Sequence, residues 1–169
     1  MQNEAERHTT NHLFQIDNSH IHPDNPTNDM GSEKKLEVWK QTKLYQNIVH
    51  YLENEKIYLD KQLNLNKLSA LLCTNNSYTS KIINTFFRCN LKTLLNRYRV
   101  EHAKRLLNES SCAISELPDR CGFLSRSTFY AAFLKFEGVT PTEYRQEILR
   151  WRSLTQVHSA ETEVLAEGT

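Results

Sequence analysis

The fold turns on one stretch, ISELPDRCGFLSRSTFYAAFLKFEGVTPTEY, which runs from Ile114 to Tyr144. It reads as a short helix, a tight turn at Cys121-Gly122-Phe123, a second amphipathic helix and a capped third. Ser115 can cap the first helix, with Pro118 in its opening turn, where a missing N–H costs little. Ser125 is placed to cap the second, in which Phe129, Ala132, Phe133 and Phe136 recur at helical spacing and face inward. Gly138 ends that helix. Thr140-Pro141-Thr142-Glu143 is then a capping box with proline at the first helical position.

An earlier stretch, 68–86, repeats this plan. Leu68 aligns with Leu117 and Leu72 with Cys121 at a separation of 49 residues. One extra residue in the second turn changes the separation to 50, at which Asn75 aligns with Ser125, Ile82 with Ala132, Ile83 with Phe133 and Phe86 with Phe136. Caps align with caps and core with core. Asn64 or Asn66 can cap a helix from Lys67 to Leu72 with Leu68, Leu71 and Leu72 on its apolar stripe. Asn75 then caps a helix over residues 76–88, in which Tyr78, Ile82, Ile83 and Phe86 face inward. Between the two copies, Leu94, Leu95, Tyr98, Ala103, Leu106 and Leu107 mark a long helix from about Leu91 to Asn108, roughly 27 Å at 1.5 Å per residue. Arg99 on it reads as an internal strut that pairs with an acid between the two halves.

The ends differ from the middle. Residues 1–32 are rich in Asn, His, Thr and Asp and are expected to be a disordered acidic segment. Residues 33–57 read as an amphipathic lead-in helix, with Ser32 as a possible cap and Leu36, Trp39, Leu44, Ile48, Tyr51 and Leu52 on one stripe. Residues 58–152 form the main domain, its last helix ending near Arg152, and residues 153–169 an acidic flexible tail. The net charge of +1 conceals this division: residues 1–33 carry −5, residues 34–152 carry +9 and residues 153–169 carry −3. A basic middle is the electrostatic footprint of a polyanion binder, although a solvated basic surface gives the same count.

Other chemistries find no support. Cys73, Cys89, Cys112 and Cys121 contain no C-x-x-C pair, and Cys73 and Cys121, at the ends of apolar runs, read as small buried residues. His20 and His22 have no third ligand near, and His50 and His102 fall on separate helices without an evident partner. There is no Gly-rich phosphate loop, carboxylate pair or Ser/His/Asp arrangement, so no enzyme activity, metal or cofactor is implied. No signal peptide or 18-residue apolar run is evident, which predicts a cytoplasmic, nucleoid-associated protein with no membrane partner.

A helix fits the major groove, and side chains on its N-terminal half reach base edges. In the first unit those are Ser77, Ser80, Lys81 and Asn84, with Lys81 suited to guanine or phosphate and Asn84 to adenine. In the second they are Arg126, Ser127, Thr128, Tyr130 and Ala131, with Arg126 suited to guanine or, at the helix start, to phosphate. For each, a plain solvated helix face is the competing reading.

With these residues assembled, residues 59–148 resemble the DNA-binding domain of the AraC/XylS family of transcription regulators. The likeness rests on Ala113-Ile114, Gly122-Phe123, Phe129, Phe133, Lys135, Gly138, Thr140-Pro141 and Tyr144-Arg145, with support from Tyr98-Arg99-Val100-Glu101 and Ala103-Lys104. It implies an all-α fold of two helix-turn-helix units, each a homeodomain-like three-helix subdomain, joined by a long connecting helix and preceded here by an extra N-terminal helix. It implies promoter binding through Ser77, Ser80 and Lys81 in the first unit and Arg126, Ser127, Tyr130 and Ala131 in the second. Double-stranded promoter DNA and RNA polymerase are the implied partners, and a partner protein or second copy can dock on the helix over residues 33–56. Three departures stand out: Arg88 where the family has glycine, Thr79 and Ile83 where it has larger apolar residues, and Pro118 in place of a small helix former. A module that keeps the fold and acts through protein contacts, with weak or no independent DNA binding, is the alternative.

Overall fold

The structure is a computed structural model that describes the backbone of residues 31–109 and 112–166 and the side chains up to Leu154. The expected disorder of residues 1–30, with His20 and His22, lies outside it. Seven α-helices make up the described chain, with no strand among these residues: α1 (Ser32–Glu53), α2 (Leu65–Leu71), α3 (Asn76–Phe87), α4 (Leu91–Asn108), α5 (Leu117–Arg120), α6 (Arg126–Glu137) and α7 (Pro141–Ala166). Short 3-10 turns at Ile57–Leu59 and Ile114–Glu116 precede α2 and α5. The all-α, double helix-turn-helix architecture follows the sequence reading.

The chain divides into two compact units. The first comprises the chain up to Glu55 together with Asn64–Leu91; the second comprises Lys56–Leu63 and the chain from Lys92 onward. In the first, α1 buries Leu44, Ile48 and Leu52, α2 buries Leu68, and α3 buries Ile82, Ile83 and Phe87. Tyr45 stacks on Phe86 with ring centroids 4.9 Å apart. In the second, Val100, Ala103, Leu106, Leu107, Leu117, Cys121, Phe123, Phe129, Ala132 and Phe133 form one cluster. Phe129 is its hub, meeting Phe123 edge-on at 5.3 Å and Phe133 at 5.8 Å, in the tilted geometry that aromatic quadrupoles favour.

Local chemistry explains the boundaries. Asn64 caps α2 by accepting from the Lys67 N–H, and Asn75 and Ser125 do the same for α3 and α6. At α7 the Thr140 N–H donates to the Glu143 carboxylate at 2.7 Å while the Glu143 N–H donates to the Thr140 hydroxyl, a closed capping box. The Thr140 N–H and the Thr140 hydroxyl, which also donates to that carboxylate at 2.8 Å, hold the Glu143 carboxyl below the usual carboxylate range.

Several expectations are corrected. Leu36 and Trp39 on α1 are exposed, Trp39 by 62%. Leu71 is exposed as well, and Phe87, not Phe86, is fully inside. Gly31 occupies the N-cap of α1, so Ser32 does not cap it. Ser115 falls inside the 3-10 turn that leads into α5, and Glu116 stands at that helix's N-cap without a side-chain bond. Cys73 is exposed rather than buried. The guanidinium of Arg99 is buried within the second unit and donates to the backbone carbonyls of Tyr58 (2.6 Å) and Asp60 (2.9 Å), not to a carboxylate between the halves. The last helix runs past Arg152 to Ala166.

The left-handed backbone positions are duplicated along with the helices. Gly122 (φ 77°) and Gly138 (φ 74°) follow α5 and α6; their counterparts at the same separations, Cys73 (φ 52°) and Arg88 (φ 55°), follow α2 and α3. Residues bearing a Cβ pay about 1–2 kcal/mol for this conformation. Arg88→Gly is therefore expected to raise the unfolding free energy by about 0.5–1 kcal/mol once glycine's greater chain entropy is subtracted. Gly122→Ala is expected to lower it by on the order of 3 kcal/mol, since the added Cβ would lie 2.6 Å from the Leu59 carbonyl oxygen. Chemical denaturation of the three proteins side by side measures both.

Candidate nucleic-acid interface

The two helices singled out in the sequence each have one buried and one open face. On α3, Thr79, Ile82, Ile83 and Phe87 are inside, while Ser77, Lys81 and Asn84 are exposed and Ser80 is half-buried. Ser77, Ser80, Lys81 and Asn84 are spaced three and four residues apart and so share one face. On α6, Phe129, Ala132 and Phe133 are inside; Arg126, Ser127, Thr128 and Ala131 are exposed and Tyr130 is half-buried. Neither helix carries an acid in its first turn. All nine predicted residues thus remain open to solvent in whole or part, on one face of each helix.

Three of them have further duties that the sequence did not show. The Thr128 hydroxyl lies 2.8 Å from the Ser125 hydroxyl, and the Thr128 N–H donates to the same oxygen, so this side chain belongs to the cap. Tyr130 meets Phe129 edge-on at 5.5 Å and lies against the core cluster. Lys81 feels the carboxylate of Glu37 on α1. Leu124, just before the α6 cap, is 70% exposed, an apolar group at the mouth of the helix. Apolar periodicity consigns such a residue to the core, and nothing in its sequence neighbours signals otherwise.

The turn of the first unit is built differently from that of the second. Thr79 is completely buried, accepts from the Ser69 hydroxyl at 2.8 Å and donates to the Asn75 carbonyl at 3.0 Å. A polar relay, fully satisfied, thus replaces an apolar contact where α2 meets α3, which avoids the cost of a buried unpaired hydroxyl. In the second unit the matching position is Phe129, packed among aromatic rings.

Around α4 the second unit gathers charge. Arg105 donates to the Tyr58 hydroxyl at 3.2 Å and contacts Nδ1 of His102 at 3.4 Å. A guanidinium only donates, so that ring nitrogen accepts and the imidazole is neutral. Lys104 bridges Glu101 and Glu137, each at 3.0 Å. Among the described residues no cluster of His, Cys, Asp and Glu could hold a metal ion, and no helix is long and apolar enough to cross a membrane.

Two helix-turn-helix units in tandem, each with an exposed polar face on its second helix, define the class of DNA-binding helix-turn-helix proteins. A family model described as a helix-turn-helix domain matches residues 68–147. The chain is 34% identical over 85 residues to the HTH-type transcriptional activator RhaR of Yersinia pseudotuberculosis, a match covering 48% of this chain and 29% of that protein. Among solved structures, it is similar to the C-terminal domain of the two-component response regulator yesN from Fusobacterium nucleatum, with a TM-score of 0.53 and 31% identity over 62% of this chain and 96% of that one. It is also similar to the C-terminal domain of AraT, a response regulator from Geobacillus stearothermophilus, with a TM-score of 0.54 and 27% identity over 64% and 84% of the two chains. Residues 68–147 thus carry a helix-turn-helix domain of the AraC/XylS type, the DNA-binding domain of a family of transcription regulators. The chain spans 13% and 29% of the length of the first two curated relatives it matches.

Burial and the charges of Arg105, Lys56 and Arg120 push His102 down to about 4 from its ordinary 6.5. The unfolded chain therefore takes up a proton near pH 6.5 that the folded chain refuses until about pH 4, and stability falls as pH drops through that window. Urea unfolding between pH 7 and pH 4 is expected to show this loss, and His102→Gln to lessen it.

Proposed function

We propose that this protein binds specific promoter sequences by inserting α3 and α6 into successive major grooves, and so regulates transcription. The observation that carries the reading is the duplication of an exposed, acid-free face on a helix whose start is capped by Asn75 in one unit and Ser125 in the other. The open N–H groups of such helix starts suit phosphate, and the side chains one turn in suit base edges. The connecting helix α4 has 18 residues, a rise of roughly 27 Å, of the order of the ~34 Å between successive grooves. In this reading Ser77, Ser80, Lys81 and Asn84 address one half-site, and Arg126, Ser127, Thr128, Tyr130 and Ala131 the other. Arg126 takes guanine, Lys81 a base edge or phosphate, and Thr128, whose hydroxyl and backbone N–H are both engaged in the cap, holds the helix start against the duplex. Action at the nucleoid and contact with promoter-bound RNA polymerase complete the proposal.

A second reading has one observation in its favour. Leu36, Val38 and Trp39 expose large apolar surface on the first turns of α1. Such a surface suits a partner protein, which would make the chain a partner-controlled output domain or an interaction module with weak DNA binding of its own.

Binding sites selected from random duplexes, followed by mobility shifts at increasing salt, separate the two. A regulator of the proposed kind binds a selected site and loses affinity steeply as salt rises, in proportion to the phosphates neutralised. Absence of binding at ~50 mM salt favours the interaction module. Arg126→Ala is expected to weaken the selected site by about 1–3 kcal/mol and to relax preference at a single base position. Uniform weakening across all sequences would make Arg126 a phosphate contact instead.

A further inference from the structure

One carboxylate stands beside the first reading helix, and it comes from outside that helix. Glu37 lies on α1, and its Oε1 accepts from the Tyr78 hydroxyl of α3 at 3.2 Å and from Gln41 Nε2 one turn along α1 at 2.9 Å. Tyr78 is the residue whose backbone N–H donates to the Asn75 cap. The phenol therefore ties the start of α3 to α1. The Gln41 bond first, then the Tyr78 bond and the charges of Lys81 on α3 and Lys40 on α1, hold the pKa of Glu37 below the usual carboxylate range. On α3 itself no residue is acidic, so the only negative charge that the described contacts bring to its open side is Glu37.

We propose that Glu37 is a specificity-determining positioning residue for the first DNA-reading helix. It holds Tyr78, and its charge competes with DNA phosphate for the Lys81 ammonium one turn along α3. A lysine left free on such a face binds any phosphate within reach, which adds affinity to every sequence alike and so dilutes selectivity. A carboxylate beside it competes with phosphate for the ammonium and also repels the duplex unless bases in the groove compensate. The net effect is weaker non-specific binding at little cost to a correct site. The proposal rests on the DNA-binding reading given above.

Glu37→Gln tests it, because glutamine keeps an acceptor for Tyr78 and removes only the charge. On random duplex DNA the variant is expected to bind roughly two- to fivefold tighter, the range of a surface ion pair. Its slope of log affinity against log salt should steepen by about 0.9, one more phosphate neutralised. The ratio of specific to non-specific affinity should fall. Adding Lys81→Gln should return slope and affinity to the wild-type values, while adding Lys40→Gln should not. Tyr78→Phe, which removes the bond and leaves the charge, should keep the wild-type slope. An unchanged slope in Glu37→Gln overturns the proposal, and so does reversal by Lys40→Gln alone or a steepened slope in Tyr78→Phe. If the wild-type chain itself binds no selected site, the functional reading fails instead. The placement of Glu37 is then tested without DNA: the carboxyl resonance of Glu37 should titrate at higher pH in Lys81→Gln than in the wild type, and identical titrations overturn it.

Discussion

A buried guanidinium organises the second unit. Arg99 is closed off from solvent, so its N–H groups must find acceptors inside the protein. They find them in the carbonyls of Tyr58, in the middle of the 3-10 turn that follows α1, and Asp60, just after it. That requirement pins the segment Lys56–Leu63 to the unit formed by the chain from Lys92 onward, although α1 before it and α2 after it belong to the first. Tyr58 then stacks on Tyr98 with centroids 5.6 Å apart and receives Arg105 on its hydroxyl. The backbone of Tyr58 and Leu59 becomes the wall against which the turn between α5 and α6 closes. Only glycine fits at position 122 because that wall leaves no room for a Cβ. The start of α6, and with it the placement of Arg126, thus depends on an arginine 27 residues earlier that faces away from any ligand.

The two units follow one plan with unequal materials. Where the second has Gly122 and Gly138 in left-handed turns, the first has Cys73 and Arg88, and where the second has Phe129 at its hub, the first has Thr79 in a hydroxyl relay. Each substitution trades packing or relaxed backbone for something local. Strain of a kcal/mol or two at each turn is large beside the marginal stability of a small domain. In return α3 gains a hydrogen-bonded link to α1 through Tyr78 and Glu37, which α6 lacks a counterpart for in the sequence register.

Much of this was legible in the sequence because short-range chemistry decides it. Asn75, Ser125, Thr140 and Glu143 cap helices for reasons confined to three or four residues, and glycine at 138 ends α6 for a reason confined to one. The reading faces were legible for the same cause: once Ile82, Ile83, Phe129 and Phe133 are assigned inward, the opposite face is fixed by the helical repeat. Apart from the caps at Ser32 and Ser115, what failed depended on a distant neighbour. Leu36 and Trp39 have the spacing of core residues, but spacing cannot tell whether anything arrives to cover them. Phe86 and Phe87 are adjacent, about 100° apart on a helix, and both are apolar, so only the packing of Tyr45 and α1 separates them. Arg99 called for a counter-charge by its chemistry and took carbonyls because a turn presented two of them. The bond between Glu37 and Tyr78 was invisible in the sequence since the two lie 41 residues apart.

The electrostatics carry the same division between local and distant. A surplus of nine positive charges over residues 34–152 attracts any polyanion, and attraction of that kind does not distinguish one sequence from another. Selectivity has to come from shape and from groups that make the wrong complex costly. In the second unit three cations are committed within the protein: Arg99 to carbonyls, Lys104 to Glu101 and Glu137, and Lys61 to Asp119. Arg126 stands exposed at the start of α6. In the first unit the carboxylate nearest the start of α3 is supplied by Glu37 of α1. On the proposed reading, the number of basic residues sets how fast the protein finds DNA, and the few cations left to face outward set where it stays.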